Sequence, residues 1–151
     1  AIVEPGVVDP VRCLQGLAEA PALLAPAVME KWGRRLYGCQ DCQSACPHNA
    51  GLPSSTVECP GEVGPSVSIR RVLAAGTAGV KGMFRGSTLG MRRIHPVALV
   101  RNALVAAGNS GDASLGPAIE PLLRDPHPVL AGTARWALSR LGGDAGATCG
   151  S

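Results

Sequence analysis

The chain has 151 residues, enough for one domain or two small ones. Its formal net charge of +3 is too weak to indicate nucleic-acid binding by itself. The longest apolar stretches are broken by Pro, Gly or Arg, so none approaches the roughly 20 residues of a membrane span. Glycine (20) and proline (13) together exceed a fifth of the chain, which predicts much irregular backbone around the helices.

The first 65 residues carry five of the six cysteines and most of the prolines. One helix is predicted here, over roughly 26–36, directly before a run of cysteines. Turn-forming residues over 53–66 mark a linker. The composition therefore predicts a loop-rich, cofactor-held segment over 1–65 and a second unit over 66–151.

The cysteine run is the main chemical signal in the sequence. Cys39, Cys42 and Cys46, with a proline directly after, give C-x2-C-x3-C-P, the last three cysteines of a bacterial-type iron–sulfur run. Leu36 stands where the first cysteine of that run would be. We therefore take Cys13 as the missing ligand, since it lies upstream and the intervening segment is long enough to fold back.

Two other readings of the cysteines were weighed against iron–sulfur ligation. A zinc site needs four tetrahedral ligands, usually from a second C-x2-C pair or a His pair, and the sequence has neither beside the lone His48. A disulfide framework is disfavoured because the cysteines cluster and no signal peptide is visible. We accordingly expect a cytoplasmic protein. Cys59 and Cys149 have no motif spacing and are left outside the site.

From Ser66 onward, helical stretches alternate with Gly or Pro stops. Arg101-Asn102-Ala103-Leu104 superposes on Arg135-Trp136-Ala137-Leu138 at an offset of 34 residues, a period typical of two-helix solenoid repeats. A plain helical bundle is the alternative. The apolar spacing predicts helices over 97–107, 112–123 and 129–141.

The boundaries of the last two helices are also signalled by residue type. Asp112 and Asp125 are suitable N-caps, Pro126 suits a first helical position, and Gly108 and Gly142 suit helix ends. Pro121 counts against an unbroken helix over 112–123 because proline removes a backbone hydrogen bond. The predicted fold is thus mostly α, a ferredoxin-like segment followed by a HEAT-like repeat tail.

Three segments carry a resemblance to a known family. They are the run 35–49 preceded by Arg12-Cys13-Leu14, the weaker stretch 84–87, and the stretch 101–112. Together they resemble the C-terminal part of the epoxyqueuosine reductases, which complete queuosine at the tRNA wobble position. The resemblance spans nearly the whole chain, although 14–25 lacks the strand-like stretch expected there and His48 stands where an aromatic residue is common.

The resemblance implies an oxidoreductase in which electrons pass through two 4Fe-4S clusters to cobalamin, which removes the epoxide oxygen. By position, Cys13, Cys39 and Cys42 would bind one cluster with a cysteine from an upstream motif, and Cys46 would bind the other. The cobalamin would be held by an N-terminal domain that this sequence lacks, so this chain alone is expected to be inactive.

The expected partner is tRNA, at its anticodon region, and an electron-donor protein of unknown identity. Arg101 and Arg135 are predicted to contact the RNA backbone, in a protein expected to be monomeric. The arginine pairs 34–35, 70–71 and 92–93 are either solvated helix faces or further phosphate contacts. The alternative function is a non-catalytic ferredoxin-like electron carrier fused to a HEAT-like protein-interaction module.

Overall fold

The computed structural model describes residues 1–51 and 66–143. These residues are mostly α-helical, as predicted. A short antiparallel pair, β1 (Ile2–Glu4) and β2 (Val7–Val8), pairs Ile2 with Val8 and Glu4 with Val7. The α-helices are α1 (Leu14–Glu19), α2 (Pro26–Lys31), α3 (Asp41–Ser44), α4 (Ile69–Met83), α5 (Pro96–Gly108), α6 (Gly116–Ile119) and α7 (Pro128–Gly143).

Two predictions fall wholly or largely outside this part of the chain. Cys59 and Cys149 lie outside the described residues, as does most of the linker predicted over 53–66. Within the described ranges, no helix has both the length and the apolar character that crossing a membrane requires.

The cysteine-bearing segment contains more helix than the sequence predicted. Helix α1 was not predicted, because it is only six residues long and includes Gly16. That glycine is needed there, since a Cβ would lie 2.6 Å from the Pro10 carbonyl oxygen. Helix α2 begins at Pro26 as predicted but ends at Lys31, and Gly33, with φ at +69°, turns the chain away soon after.

Helix α5 is the centre of the molecule, and the prediction over 97–107 is confirmed. Every residue from Val97 to Gly108 is buried. Leu99, Leu104 and their neighbours belong to a core shared with α4 and α7, whereas Val105 belongs to a second core with Met29 and Trp32. Helix α5 therefore joins the cysteine-bearing segment to the helical tail.

Helices α5 and α7 begin in the same way. The Nδ1 atoms of His95 and His127 accept hydrogen bonds from the amides of Val97 and Val129, at 3.3 Å in each case. In both helices a proline follows the histidine, at Pro96 and Pro128. The predicted start of α7, with Asp125 as cap and Pro126 as first residue, is therefore two residues too early.

The structural offset between these helices is 32 residues, not 34. Four positions of each helix have no solvent exposure and follow the i, i+3, i+4, i+7 spacing of a buried face. These pairs are Ala98 and Leu130, Arg101 and Thr133, Asn102 and Ala134, and Val105 and Ala137. The sequence match of Arg101 with Arg135 joined a buried position to an exposed one.

The segment predicted as one helix over 112–123 is broken into three pieces. A 3₁₀ turn, Ala113–Leu115, leads into α6, and a second 3₁₀ turn, Glu120–Arg124, follows. Pro121 lacks the amide hydrogen that a continuing α-helix would use. The predicted cap at Asp112 is confirmed, since its Oδ1 accepts a hydrogen bond from the Ser114 amide at 3.0 Å.

The crossing of α5 and α7 depends on Gly108. A Cβ at this position would lie 2.7 Å from Trp136 Cζ3 and 2.9 Å from Ala137 Cα. We expect Gly108→Ala to lower the free energy of unfolding by about 1–3 kcal/mol, measured by denaturant titration followed by circular dichroism. Gly142→Ala, where the added Cβ meets nothing within 4 Å, is the matched control and should not destabilise the chain. Equal losses in both variants would contradict this packing.

Candidate metal centre

Three of the four predicted ligands line one cavity of about 420 Å³. Cys13 is the residue directly before α1, Cys39 lies in the loop before α3, and Cys42 lies in α3. Ile2 and Val8 of the β-hairpin form part of the same lining. The structure thus brings together the three cysteines that the family resemblance assigned to one cluster.

Cys46 is placed apart from that cavity. It follows α3 and directly precedes a 3₁₀ turn, Pro47–Asn49, in which His48 is exposed. Asn49 fixes this turn, because its Nδ2 donates to the Gln43 backbone oxygen and side-chain Oε1, each at 3.0 Å. Among the described residues, no three His, Cys, Asp or Glu side chains are grouped closely enough to hold a single metal ion.

Two polar contacts hold the loop that carries Cys39. The Tyr37 hydroxyl donates to Glu19 Oε1 at 2.6 Å, and Arg93 Nη1 pairs with the same carboxylate at 3.0 Å. On the other side, Arg35 Nη2 pairs with Asp41 Oδ1 at 2.6 Å. The loop is therefore tied to the end of α1 and to the start of α3.

These contacts shift two pKa values in opposite directions. The hydrogen bond from Tyr37, with help from Gln15 and the charge of Arg93, lowers the pKa of Glu19. Burial, together with the neighbouring Glu19 carboxylate, raises the pKa of Tyr37. Both shifts favour the state in which a neutral Tyr37 donates to an ionised Glu19.

Arg101 is fully buried, so the prediction that it contacts RNA is wrong. Its exposed fraction is 0%. Nη1 donates to the Ala22 carbonyl oxygen and Nη2 to that of Leu17, both at 2.7 Å. The guanidinium also lies over the Trp32 ring, 5.5 Å from its centroid. Burial lowers the pKa of Arg101 to about 10, so the side chain is still a cation at neutral pH.

Two asparagines of the α5 region also reach the cysteine-bearing segment. Asn102 Nδ2 donates to the carbonyl oxygens of Ala18 and Leu36, at 3.1 and 2.9 Å. Asn109 Nδ2 donates to those of Met29 and Gly33, at 2.7 and 3.0 Å. Sequence reasoning assigned no role to either asparagine.

The remaining arginines divide into paired and exposed groups. Arg35 and Arg93 form the ion pairs described above, whereas Arg34, Arg70, Arg71, Arg92 and Arg135 are exposed. Arg34 and Arg70 line a cavity of about 340 Å³ beside Ser68, Ser110 and Asp112. Exposure leaves Arg135 available for a polyanion, in contrast to Arg101.

Comparisons with known proteins agree on one class, reductases that act in tRNA modification. No family model matches the chain. The epoxyqueuosine reductase of Bacillus cereus is 31% identical over 153 residues, covering 95% of this chain and 38% of that protein. That of Bacillus subtilis is 33% identical over 146 residues, covering 94% and 37%.

A solved structure of epoxyqueuosine reductase with an epoxyqueuosine-modified tRNA-Tyr stem loop superposes on this chain with a TM-score of 0.76. The two are 32% identical, and the match covers 94% of this chain and 38% of that one. The chain is therefore a homologue of epoxyqueuosine reductases, and it spans less than two fifths of their length. This agrees with the predicted resemblance to their C-terminal part.

The Glu19 contacts predict a specific pH dependence. Because the folded-state pKa of Glu19 is lowered, its contribution to stability is fully present above the unfolded-state pKa and is lost as the pH falls through the folded-state value. Glu19→Gln should therefore cost about 1 kcal/mol at pH 7, after allowance for solvent screening, and progressively less on acidification. Denaturant titrations across pH 3–7 measure this difference.

The exposed carboxylate of Glu30 supplies the control. Glu30→Gln should change the unfolding free energy little at any pH, since surface substitutions of this kind are usually near neutral. A cost of Glu19→Gln that stays constant with pH would contradict the assigned role of the carboxylate.

Proposed function

We propose that this chain is the cluster-binding and RNA-contacting part of an enzyme that reduces epoxyqueuosine to queuosine in tRNA. The observation that carries the proposal is the cavity shared by the thiols of Cys13, Cys39 and Cys42. Homology to epoxyqueuosine reductases supports the same reading. In this proposal the three cysteines bind one 4Fe-4S cluster, and Cys46 belongs to a second.

The donor set of this cavity fits a cluster of iron and sulfide. Thiolates are the ligands that such clusters take, and a 4Fe-4S cubane needs four of them. A cubane holds its thiolates farther apart than one metal ion would, which suits three cysteines that share a cavity without grouping around a point. The fourth thiolate would come from outside the described residues.

The cluster, when bound, supplies one-electron transfer. The chain's own residues would bind it through Cys13, Cys39 and Cys42, and Ile2 and Val8 in the same lining would limit the access of water. In this proposal cobalamin is held by a further domain, which carries the reduction of the epoxide. We propose no cobalamin-binding residue in this chain.

We also propose that the helical tail meets the tRNA backbone through exposed arginines. Arg135 lies exposed on α7, and Arg34 and Arg70 line a common cavity with two serines. Folded RNA is recognised largely by its shape and phosphates, a mode that suits cations on a rigid helical surface. Arg101 takes no part, because it is buried.

Iron binding by cysteine variants tests the assignment of ligands. After anaerobic reconstitution in the presence of a small thiol as fourth ligand, the chain should bind iron and sulfide. Cys13→Ser should remove most of the bound iron because it removes one of three cavity thiolates, and Cys46→Ser should leave most of it in place. Iron and sulfide analysis with a visible absorption spectrum measures both.

The self-contained electron carrier gives a different result in the same experiment. If one cluster used all four cysteines, Cys46→Ser would lose iron as completely as Cys13→Ser. A wild-type chain that bound one zinc ion and no iron would contradict both functions.

RNA binding is tested by neutralising one arginine at a time. Arg135→Gln should weaken binding of a tRNA anticodon stem loop and reduce the slope of affinity against salt by about 1, as expected for one lost phosphate contact. Arg124→Gln, which removes an equal charge from another exposed position, is the control and should have a smaller effect. Affinities measured at several salt concentrations that fall equally in both variants would contradict a specific contact at Arg135.

A further inference from the structure

Asn102 connects the two segments that carry cavity cysteines. One hydrogen of its amide goes to the Ala18 carbonyl, in the helix that Cys13 precedes. The other goes to the Leu36 carbonyl, three residues before Cys39. A side-chain amide has only two such hydrogens, so its donor capacity is fully used in bridging these segments.

The orientation of this amide is fixed by its neighbour. Arg101 Nε donates to Asn102 Oδ1 at 2.9 Å, which leaves the NH2 group to face the two carbonyls. Arg101 itself donates only to the carbonyls of Leu17 and Ala22, at the end of α1 and just beyond it. Arg101 therefore holds the α1 region alone, and Asn102 makes the link to the Cys39 loop.

The bridge lies close to both cysteines along rigid backbone. Ala18 is five residues beyond Cys13 in the same short helix, a distance of about 7–8 Å at 1.5 Å per residue. Leu36 is within about 11 Å of Cys39 even if the chain between them is fully extended. Asn102 has no exposed surface, so water does not compete for these hydrogen bonds.

We propose that Asn102 is a positioning residue for the cluster site: it sets the separation of the Cys13 and Cys39 thiols from the buried side of the cavity. The inference deepens the proposed function and rests on it for the identity of the bound group. The positioning itself is a property of the apoprotein.

Asn109 is the matched control. It also donates two hydrogen bonds from Nδ2 to carbonyls of the cysteine-bearing segment, but both acceptors, Met29 and Gly33, lie at the end of α2, between the two cysteines. Losing either asparagine should destabilise the chain by leaving carbonyls unpaired. Only Asn102 should alter the arrangement of the thiols.

The test uses a chain that keeps Cys13 and Cys39 and has serine at the other four cysteine positions. A short bifunctional thiol reagent bridges the two thiols, and mass spectrometry follows bridged against singly modified chains. Asn102→Ala should slow bridging by roughly fivefold or more, as expected for losing hydrogen bonds that hold one arrangement. Asn109→Ala should leave the bridging rate within about twofold of the parent under folded conditions checked by circular dichroism.

Asn102→Ser provides a second variant if the alanine variant does not fold, because its hydroxyl can still donate one hydrogen bond. Its bridging rate should lie between those of the parent and the alanine variant. Unchanged bridging in both Asn102 variants, or equal slowing by Asn109→Ala, would overturn the proposal.

Iron retention by the loaded chain with all six cysteines separates this inference from the proposed function. Wild-type chain that binds no iron, with the bridging order still as expected, would overturn the function and leave the positioning role intact. Wild-type chain that binds iron, with Asn102→Ala losing it no faster than Asn109→Ala, would overturn the positioning role alone.

Discussion

The fold depends on a buried cation that has no carboxylate partner among the residues described. Moving the Arg101 guanidinium out of water is costly, and burial lowers its pKa accordingly. Two backbone carbonyls, the Asn102 side chain and the face of Trp32 offset that cost. Within the described part of the chain, no buried side-chain nitrogen or oxygen lacks a hydrogen-bond partner.

This arrangement explains how short helices can position a metal site. Helices α1 and α2 have six residues each, too few to be stable alone, and their last carbonyl groups have no partner within the helix. Arg101, Asn102 and Asn109 donate to carbonyls at or just beyond those ends. The long, buried helix α5 thus stabilises the segment in which the cysteines lie, and the two parts of the chain share one core.

Part of this structure could be predicted from sequence, and particular residues show why the rest could not. The spacing around Cys39 and the apolar run of α5 are local patterns, and both guided the analysis correctly to the cavity and to the central helix. Burial of Arg101 is a tertiary effect, because only the approach of Leu17, Ala22 and Trp32 makes it possible. A pair of polar residues inside an apolar run was nevertheless a visible signal of buried hydrogen bonding.

The repeat offset shows a different kind of error. The match of Arg101 with Arg135 compared residue letters, whereas the backbone repeats from the capping histidines, His95 and His127. Those histidines and the prolines after them were present in the sequence. Helix-start signals were therefore a better guide to the register than the match of charged residues.

The central claim is that Cys13, Cys39 and Cys42 act together as ligands of one cluster. Site-resolved alkylation, read by mass spectrometry on the anaerobically loaded chain and on the metal-free chain, tests it most directly. We predict that loading protects these three thiols together and leaves Cys46 as reactive as before. Protection of Cys46 to the same extent, or loading that leaves Cys13 reactive, would contradict the account.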